Sequence, residues 1–306
     1  MTTPVSNHSA AVACALSAMA VFGLIDNLMR IGTATGGLWQ FHLLRSVLAL
    51  LVLWGAAMAW GIALWPKRPR WVGLRSIMTT TAMVIYFGCL GVLPIEQAVA
   101  GLFTAPLFTV LITMVVLREP IGARRIAAVL LGFVGILLVL RPDAQGVGAA
   151  TAFPLLAGAT YAVGNIITRR ECAQEETLSL LAGFFGCMMC VGAVGLLMVG
   201  AFVTEAPAGA DGFLYRGWVT PRGGFLWLII IQGIGSAIGV GLSIRAYQLA
   251  DPSTIAVFEN AMILFATIWA FVLWGEVPGA VTVLGLACIV AAGIVISVRS
   301  RALAVA

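Results

Sequence analysis

Apolar residues run through this chain in ten long stretches, at roughly 10–32, 38–64, 75–93, 95–117, 124–141, 150–169, 178–203, 224–249, 253–274 and 280–298. Bilayer hydrocarbon is about 30 Å thick and a helix rises about 1.5 Å per residue, so a span needs roughly 20 apolar residues. The stretches show no strict alternation, and lipid offers backbone groups no partner outside their own segment. They read as helices, and the predicted fold class is an all-α membrane protein with ten transmembrane helices. The first stretch is kept as helix one rather than a cleaved leader. Residues 1–9 carry no Lys or Arg, and the stretch has a counterpart at 150–169.

The pattern repeats itself. Adding 157 to Glu119 gives Glu276, and the same shift carries Gly122 to Gly279. Adding 139 pairs Leu16, Ala18, Ala20, Phe22 and Arg30 with Leu155, Ala157, Ala159, Tyr161 and Arg169. Five spans per copy force the second copy into the membrane from the opposite side. Residues 1–145 and 146–306 are therefore expected to be two inverted five-helix repeats within one transmembrane domain, which is transporter architecture.

Composition agrees with this reading and removes other classes. With 61% hydrophobic and 9% charged residues and a mean hydropathy of +1.08, the chain cannot bury its apolar surface in a soluble core. Its net charge of +5 is spread over helix ends, which suits lipid headgroups and implies no nucleic acid. If the N-terminus is cytoplasmic, 12 of the 17 Lys and Arg, Arg75 among them, fall on the cytoplasmic side and five, Arg45 among them, on the other. The positive-inside rule then places both termini in the cytoplasm. The loops after helices four and nine agree: Arg118, Arg124 and Arg125 surround the first, whereas 274–279 has no Lys or Arg. Cys187 and Cys190 form a CxxC without a second pair or a His beside it, so the six cysteines read as small packing residues and no metal is expected. No Walker or redox motif appears, so neither cofactor nor ATP hydrolysis is implied. His8 and His42 are the only histidines, one in the tail and one near a helix end, which argues against an embedded enzyme.

Polar groups inside apolar helices carry the functional expectation, because a mid-helix acid costs about 2.5–3.5 kcal/mol on insertion scales unless something compensates it. Glu259 and Asn260 in helix nine are the sharpest pair. Glu259 reads either as an anchor for a substrate ammonium or a proton carrier, or as a structural hydrogen-bond acceptor. Asp26 is read as the partner of Arg45 in a buried ion pair joining helices one and two. Asn165 occupies the position equivalent to Asp26 and either binds a substrate polar group or bonds across helices. Tyr86, Phe103, Tyr161 and Phe258 supply an aromatic lining that suits an apolar side chain or an organic cation. Gln97, Thr104, Pro106 and Gln232 complete the expected lining, with Pro106 freeing a backbone carbonyl in helix four. Gly235 and Gly239 form a GxxxG in helix eight that reads as close packing. No Lys or Arg is expected at mid-depth, which argues against dianionic substrates.

The five-plus-five helices, the turns Glu119-Pro120-Ile121-Gly122 and Gly275-Glu276-Val277-Pro278-Gly279, Pro106 and Arg45 resemble the drug/metabolite transporter superfamily, specifically its EamA-type members. Phe22-Gly23 with Asp26-Asn27, and Tyr161 to Asn165, are similar to the family's openings of helices one and six. One departure is Ile263, which stands where the repeat would place a second helix proline, beside Glu259-Asn260. The overall pattern is most similar to bacterial inner-membrane exporters of amino acids, including the aromatic amino acid and paraquat group. That resemblance implies alternating access around a site between the halves, with export of hydrophobic or aromatic amino acids. A multidrug exporter of lipophilic cations is the alternative. Glu119 and Glu276 match the family's turn acids and are expected to cap the next helix or to pair with Arg124 or Arg125. The expected partners are a small-molecule substrate, the bilayer and protons, with the chain a monomer.

Overall fold

A computed structural model describes residues 8–32, 34–89, 95–140 and 152–303, with the side chains of 30, 95–97, 210, 211 and 296–303 outside that description. Twelve α-helices build ten spans, and no strand occurs among the described residues. They are α1 (His8–Asn27), α2 (Leu38–Trp60), α3 (Pro69–Cys89), α4 (Ile95–Leu102), α5 (Ala105–Leu111), α6 (Ala123–Leu140), α7 (Ala152–Arg170), α8 (Thr177–Phe202), α9 (Gly223–Leu249), α10 (Pro252–Glu259), α11 (Ala261–Trp274) and α12 (Ala280–Leu303). Eight spans are long and apolar enough to cross a membrane on composition alone. The other two are α7, which ends in Arg169-Arg170, and α12, whose apolar part is 280–295. The boundary expected at 145/146 and the charge of Arg141 lie outside the described residues.

Two spans are broken, and at equivalent places. Helix four divides into α4 and α5 at Phe103-Thr104, and helix nine divides into α10 and α11 at Asn260. Adding 157 to Phe103 gives Asn260. The first break has Pro106 in the opening turn of α5, where its missing N–H costs nothing. The second has no proline, since Ile263 stands at that position, yet the helix breaks there all the same. Each broken span then ends in a left-handed residue, Arg118 at φ 55° and Gly275 at φ 70°, again 157 apart. The following acids close both helices from behind: Glu119 N–H donates to the Thr113 carbonyl at 3.1 Å and Glu276 N–H to the Ala270 carbonyl at 3.3 Å.

Arg118 is an exposed L-residue in a conformation that costs about 1–2 kcal/mol outside glycine. Arg118→Gly is therefore expected to raise stability by about 1 kcal/mol after its extra unfolded-state entropy is counted. A thermal melt of the purified protein checks the sign.

Packing obeys the same exchange of halves. α1 lies against α9 and α11, as α7 lies against α3 and the α4–α5 pair, while α2 packs on α8 and α6 on α12. Gly235 and Gly239 turn to α1, where a Cβ would meet Ile25 and Phe22. Outward faces carry Met58, Leu197, Phe202, Val272 and Leu284 exposed, with Trp60, Trp65, Trp218 and Trp227 near helix ends. That is a hydrocarbon belt flanked by interfacial tryptophans.

Candidate functional site

The breaks in helices four and nine face one cavity of about 830 Å³ between the two halves. Repeat-equivalent positions line it in pairs: Asp26 with Asn165, Arg45 with Phe184, Arg75 with Gln232, Tyr86 with Ser243, Leu102 with Glu259, and Phe103 with Asn260. The symmetry is in the backbone and the chemistry differs within each pair. The cavity therefore has one acid and one guanidinium in each of two distinct settings.

Glu259 ends α10 at the break and is 6% exposed. Its Oε1 accepts the Tyr161 hydroxyl from α7 at 2.9 Å and lies 3.4 Å from the Ser243 hydroxyl of α9. Tyr247 is buried beside the carboxylate without a hydrogen bond of regular geometry. No ion pair reaches Glu259 among the described residues. Asn260, 1% exposed, leaves both side-chain polar atoms unpartnered and leans on Gly132 of α6, whose Cα has no room for a methyl beside Asn260 Nδ2. Asn165 Nδ2 is also buried and unpartnered. Both amides belong to the cavity wall, with these polar atoms buried within it.

Asp26 lies at the end of α1 and is exposed into the cavity. Arg45 shares that cavity, with its guanidinium carbon 5.2 Å from the Phe41 ring centroid and Nε unpartnered. Asp26 and Arg45 do not form an ion pair among the described residues, so the expected structural bridge is replaced by two charges open to the cavity. Gln232 Nε2 donates to the Ile25 carbonyl at 2.9 Å, tying α9 to α1.

Other expectations are corrected. Phe258 does not line the cavity; it packs with Ala11, Ala15, Tyr247 and Ile255. Successive helical residues point about 100° apart, so Phe258 faces α1 when Glu259 faces the cavity. Gln97 lies on α4, but its side chain is outside the described residues. Glu119 pairs with Arg170 rather than with Arg124 or Arg125. Glu276 sits in the exposed turn where the cavity reaches the surface, beside Val277, Pro278 and Gly279. Arg75, expected at the cytoplasmic start of helix three, lies within that helix and lines the cavity. Hydropathy starts helix three at 75, whereas α3 begins at Pro69 and carries Arg75 into the span at 3% exposure. The signal that would have found it is the repeat, since adding 157 to Arg75 gives Gln232.

The face opposite the 276–279 turn is tied shut by polar contacts between the halves. Glu119 pairs with Arg170, Arg125 donates to Ser253 Oγ at 2.8 Å, and the carboxylate of Glu175 accepts the backbone N–H groups of Lys67 and Arg68 at 2.8 and 2.6 Å. Within the second half, Gln248 donates to the carbonyls of Cys172 and Glu175. Burial pushes the Cys172 thiol in this connection up to about 11, which keeps it protonated and unreactive. No three His, Cys, Asp or Glu side chains converge to hold a metal among the described residues.

With this geometry in hand, the likenesses to known proteins are specific. The model of the EamA-like transporter family matches residues 9–141 and again 148–298. The S-adenosylmethionine uptake transporter of Rickettsia bellii is 25% identical over 72% of this chain and 69% of its own. The riboflavin transporter of Rhizobium johnstonii is 24% identical over 72% and 68%. The pseudopaline exporter of Pseudomonas aeruginosa is 24% identical over 94% and 95%. A solved protein structure superposes with a TM-score of 0.77 at 18% identity over 97% of this chain and 99% of its own, which shows a shared fold.

Proposed function

Because the chain belongs to the EamA-like transporter family, we propose that it is a secondary transporter that exports small organic solutes of the amino-acid class across the bacterial inner membrane. The family's members are transporters, and the solutes its relatives are named for, S-adenosylmethionine, riboflavin and pseudopaline, leave the substrate open. The observation that carries the reading is Glu259: a carboxylate held by hydroxyls alone, with no cationic protein partner among the described residues, in a cavity between the halves. Such a group is stabilised by a ligand ammonium or by a proton, and the two can alternate on it. Phe22, Tyr86, Phe103 and Phe184 give the rest of the solute an aromatic bed.

With both termini cytoplasmic, the tied face is cytoplasmic and the 276–279 turn opens outward. Export then runs by alternating access, with the broken helices four and nine as the parts that exchange partners. A lipophilic cation would share the cavity with two guanidiniums, Arg45 and Arg75, so a zwitterion fits better than a drug cation. The test is uptake into proteoliposomes holding the purified chain, with labelled amino acids and cationic dyes, with and without an imposed pH gradient. Saturable movement of amino acids, faster under the gradient, is expected. Movement of dyes alone, or of neither class, would refute the reading.

A further inference from the structure

Asp26 and Arg45 make a second charged place in the cavity, apart from Glu259. Helices α1 and α10 leave the same face of the protein, since Ala11 of α1 clusters with Ala250 and Ile255. Glu259 ends the short α10, whereas Asp26 is the next-to-last residue of the much longer α1. Asp26 therefore lies nearer the opposite face, where the cavity opens at the 276–279 turn.

Arg45 makes no hydrogen bond with a described residue. Its Nε is sealed in the wall without a partner and its guanidinium carbon rests 5.2 Å from the Phe41 ring centroid, which leaves the Nη groups to line the cavity. An unspent fork of N–H groups matches a carboxylate. Asp26 does not fill it: the two side chains stand within each other's field but form no ion pair among the described residues. Opposite charges in a wall of low dielectric attract strongly and would close on each other if free to do so. The frame keeps them apart. Asn27 donates to the Ala266 carbonyl at 2.9 Å and pins the end of α1 to α11, while Gln232 donates to the Ile25 carbonyl and pins it to α9. Arg45 belongs to α2, which packs on α8 and on α9.

A ligand that satisfies both groups must carry both signs. A simple cation on Asp26 would face Arg45, and a simple anion on Arg45 would face Asp26. The ammonium and carboxylate of an α-amino acid sit on one carbon, so together they fit between a carboxylate and a guanidinium that do not touch. The cavity, at about 830 Å³, is large within the range of about 300–1,000 Å³ that holds a drug-sized ligand, which leaves room for this solute beside one at Glu259.

We propose that Asp26 and Arg45 form a second solute site toward the open mouth, which takes an α-amino-carboxylate with its ammonium on Asp26 and its carboxylate on Arg45. The site rests on the proposed amino-acid class of solute but not on Glu259, so either site can fail alone.

The test counts bound solute on the full-length protein. The probe is the common α-amino acid that raises the melting temperature most, beside the amine that lacks its carboxylate and the acid that lacks its ammonium. Equilibrium dialysis of the labelled amino acid is expected to find two per wild-type chain and one per Glu259→Gln chain. On Glu259→Gln the amino acid should bind at least about tenfold tighter than either half-charged analogue, as expected for one lost buried charge contact. Adding Arg45→Gln should weaken the amino acid at least about tenfold without weakening the amine, and adding Asp26→Asn should do so without weakening the acid. A single solute in the wild type that is lost in Glu259→Gln would overturn this site and leave the ammonium anchor standing. A single solute that persists in Glu259→Gln, with the same charge dependence, would keep this site and remove the anchor. Equal weakening of all three probes by Arg45→Gln would make Arg45 a packing residue and overturn its role. Failure of every amino acid to bind would overturn both sites. The count and the three probes on Glu259→Gln decide the matter even if the Arg45 and Asp26 variants do not fold.

Discussion

Glu259→Gln is expected to cut the rate of solute transport by at least about 30-fold while leaving the protein folded. The change keeps the volume and one oxygen acceptor for Tyr161 and Ser243, and removes only the charge. Losing one partner of a buried, hydrogen-bonded charge pair costs about 2–5 kcal/mol, and about 1.4 kcal/mol is a factor of ten. The hydroxyls of Tyr161 and Ser243 cannot replace that charge, because they serve the carboxylate as donors and have none of their own. Glu259→Asp draws the carboxylate back by one methylene and should give an intermediate loss. Initial rates in proteoliposomes, normalised to monodisperse protein, check both. Rates within threefold of wild type would mean that Glu259 only holds α7 to α10.

Gly158→Val is expected to disable the protein by a different route, through the backbone that frames the cavity. Gly158 of α7 sits against the break between α4 and α5. A Cβ there would meet the Gly101 carbonyl at 2.8 Å and the Ala105 amide nitrogen at 3.2 Å, besides the Thr104 hydroxyl. Two of those three are main-chain atoms, which cannot rotate aside. Overpacking of this kind costs about 1–3 kcal/mol, equivalent to a melting temperature roughly 2–5 °C lower. Any shift that relieves it moves Phe103 and Pro106 in the cavity wall, so transport should fall as well. Gly186→Ala in α8 is the control, since a Cβ there meets nothing within 4 Å. Equal melting temperatures for the two variants would contradict the close approach.

The spans and their number were legible because burial in lipid writes itself into composition, and because a repeat constrains both halves at once. The helix-four break was also legible, through Pro106. The helix-nine break was not, since Asn260 carries no φ restriction and the kink there comes from packing that only the fold supplies. It could still have been inferred by moving the first break 157 residues on. Arg75 was hidden for a plain reason: a hydropathy window stops at a charge, so a cation inside a helix is taken for a cation beside one. Phe258 was misplaced because adjacency to Glu259 in the sequence was taken for a shared face, whereas its ring packs against α1. Asp26 and Arg45 were matched by depth alone, and depth does not fix which way two side chains turn.

The most direct measurement is the distance between a labelled solute's ammonium nitrogen and the Glu259 carboxyl carbon, by solid-state magnetic resonance in lipid. A separation below about 4 Å, the reach of a charge-assisted hydrogen bond, is expected. A bound solute whose nitrogen stays beyond about 7 Å, with Glu259 still serving Tyr161 and Ser243 alone, would contradict the anchor on which the transport reading is built.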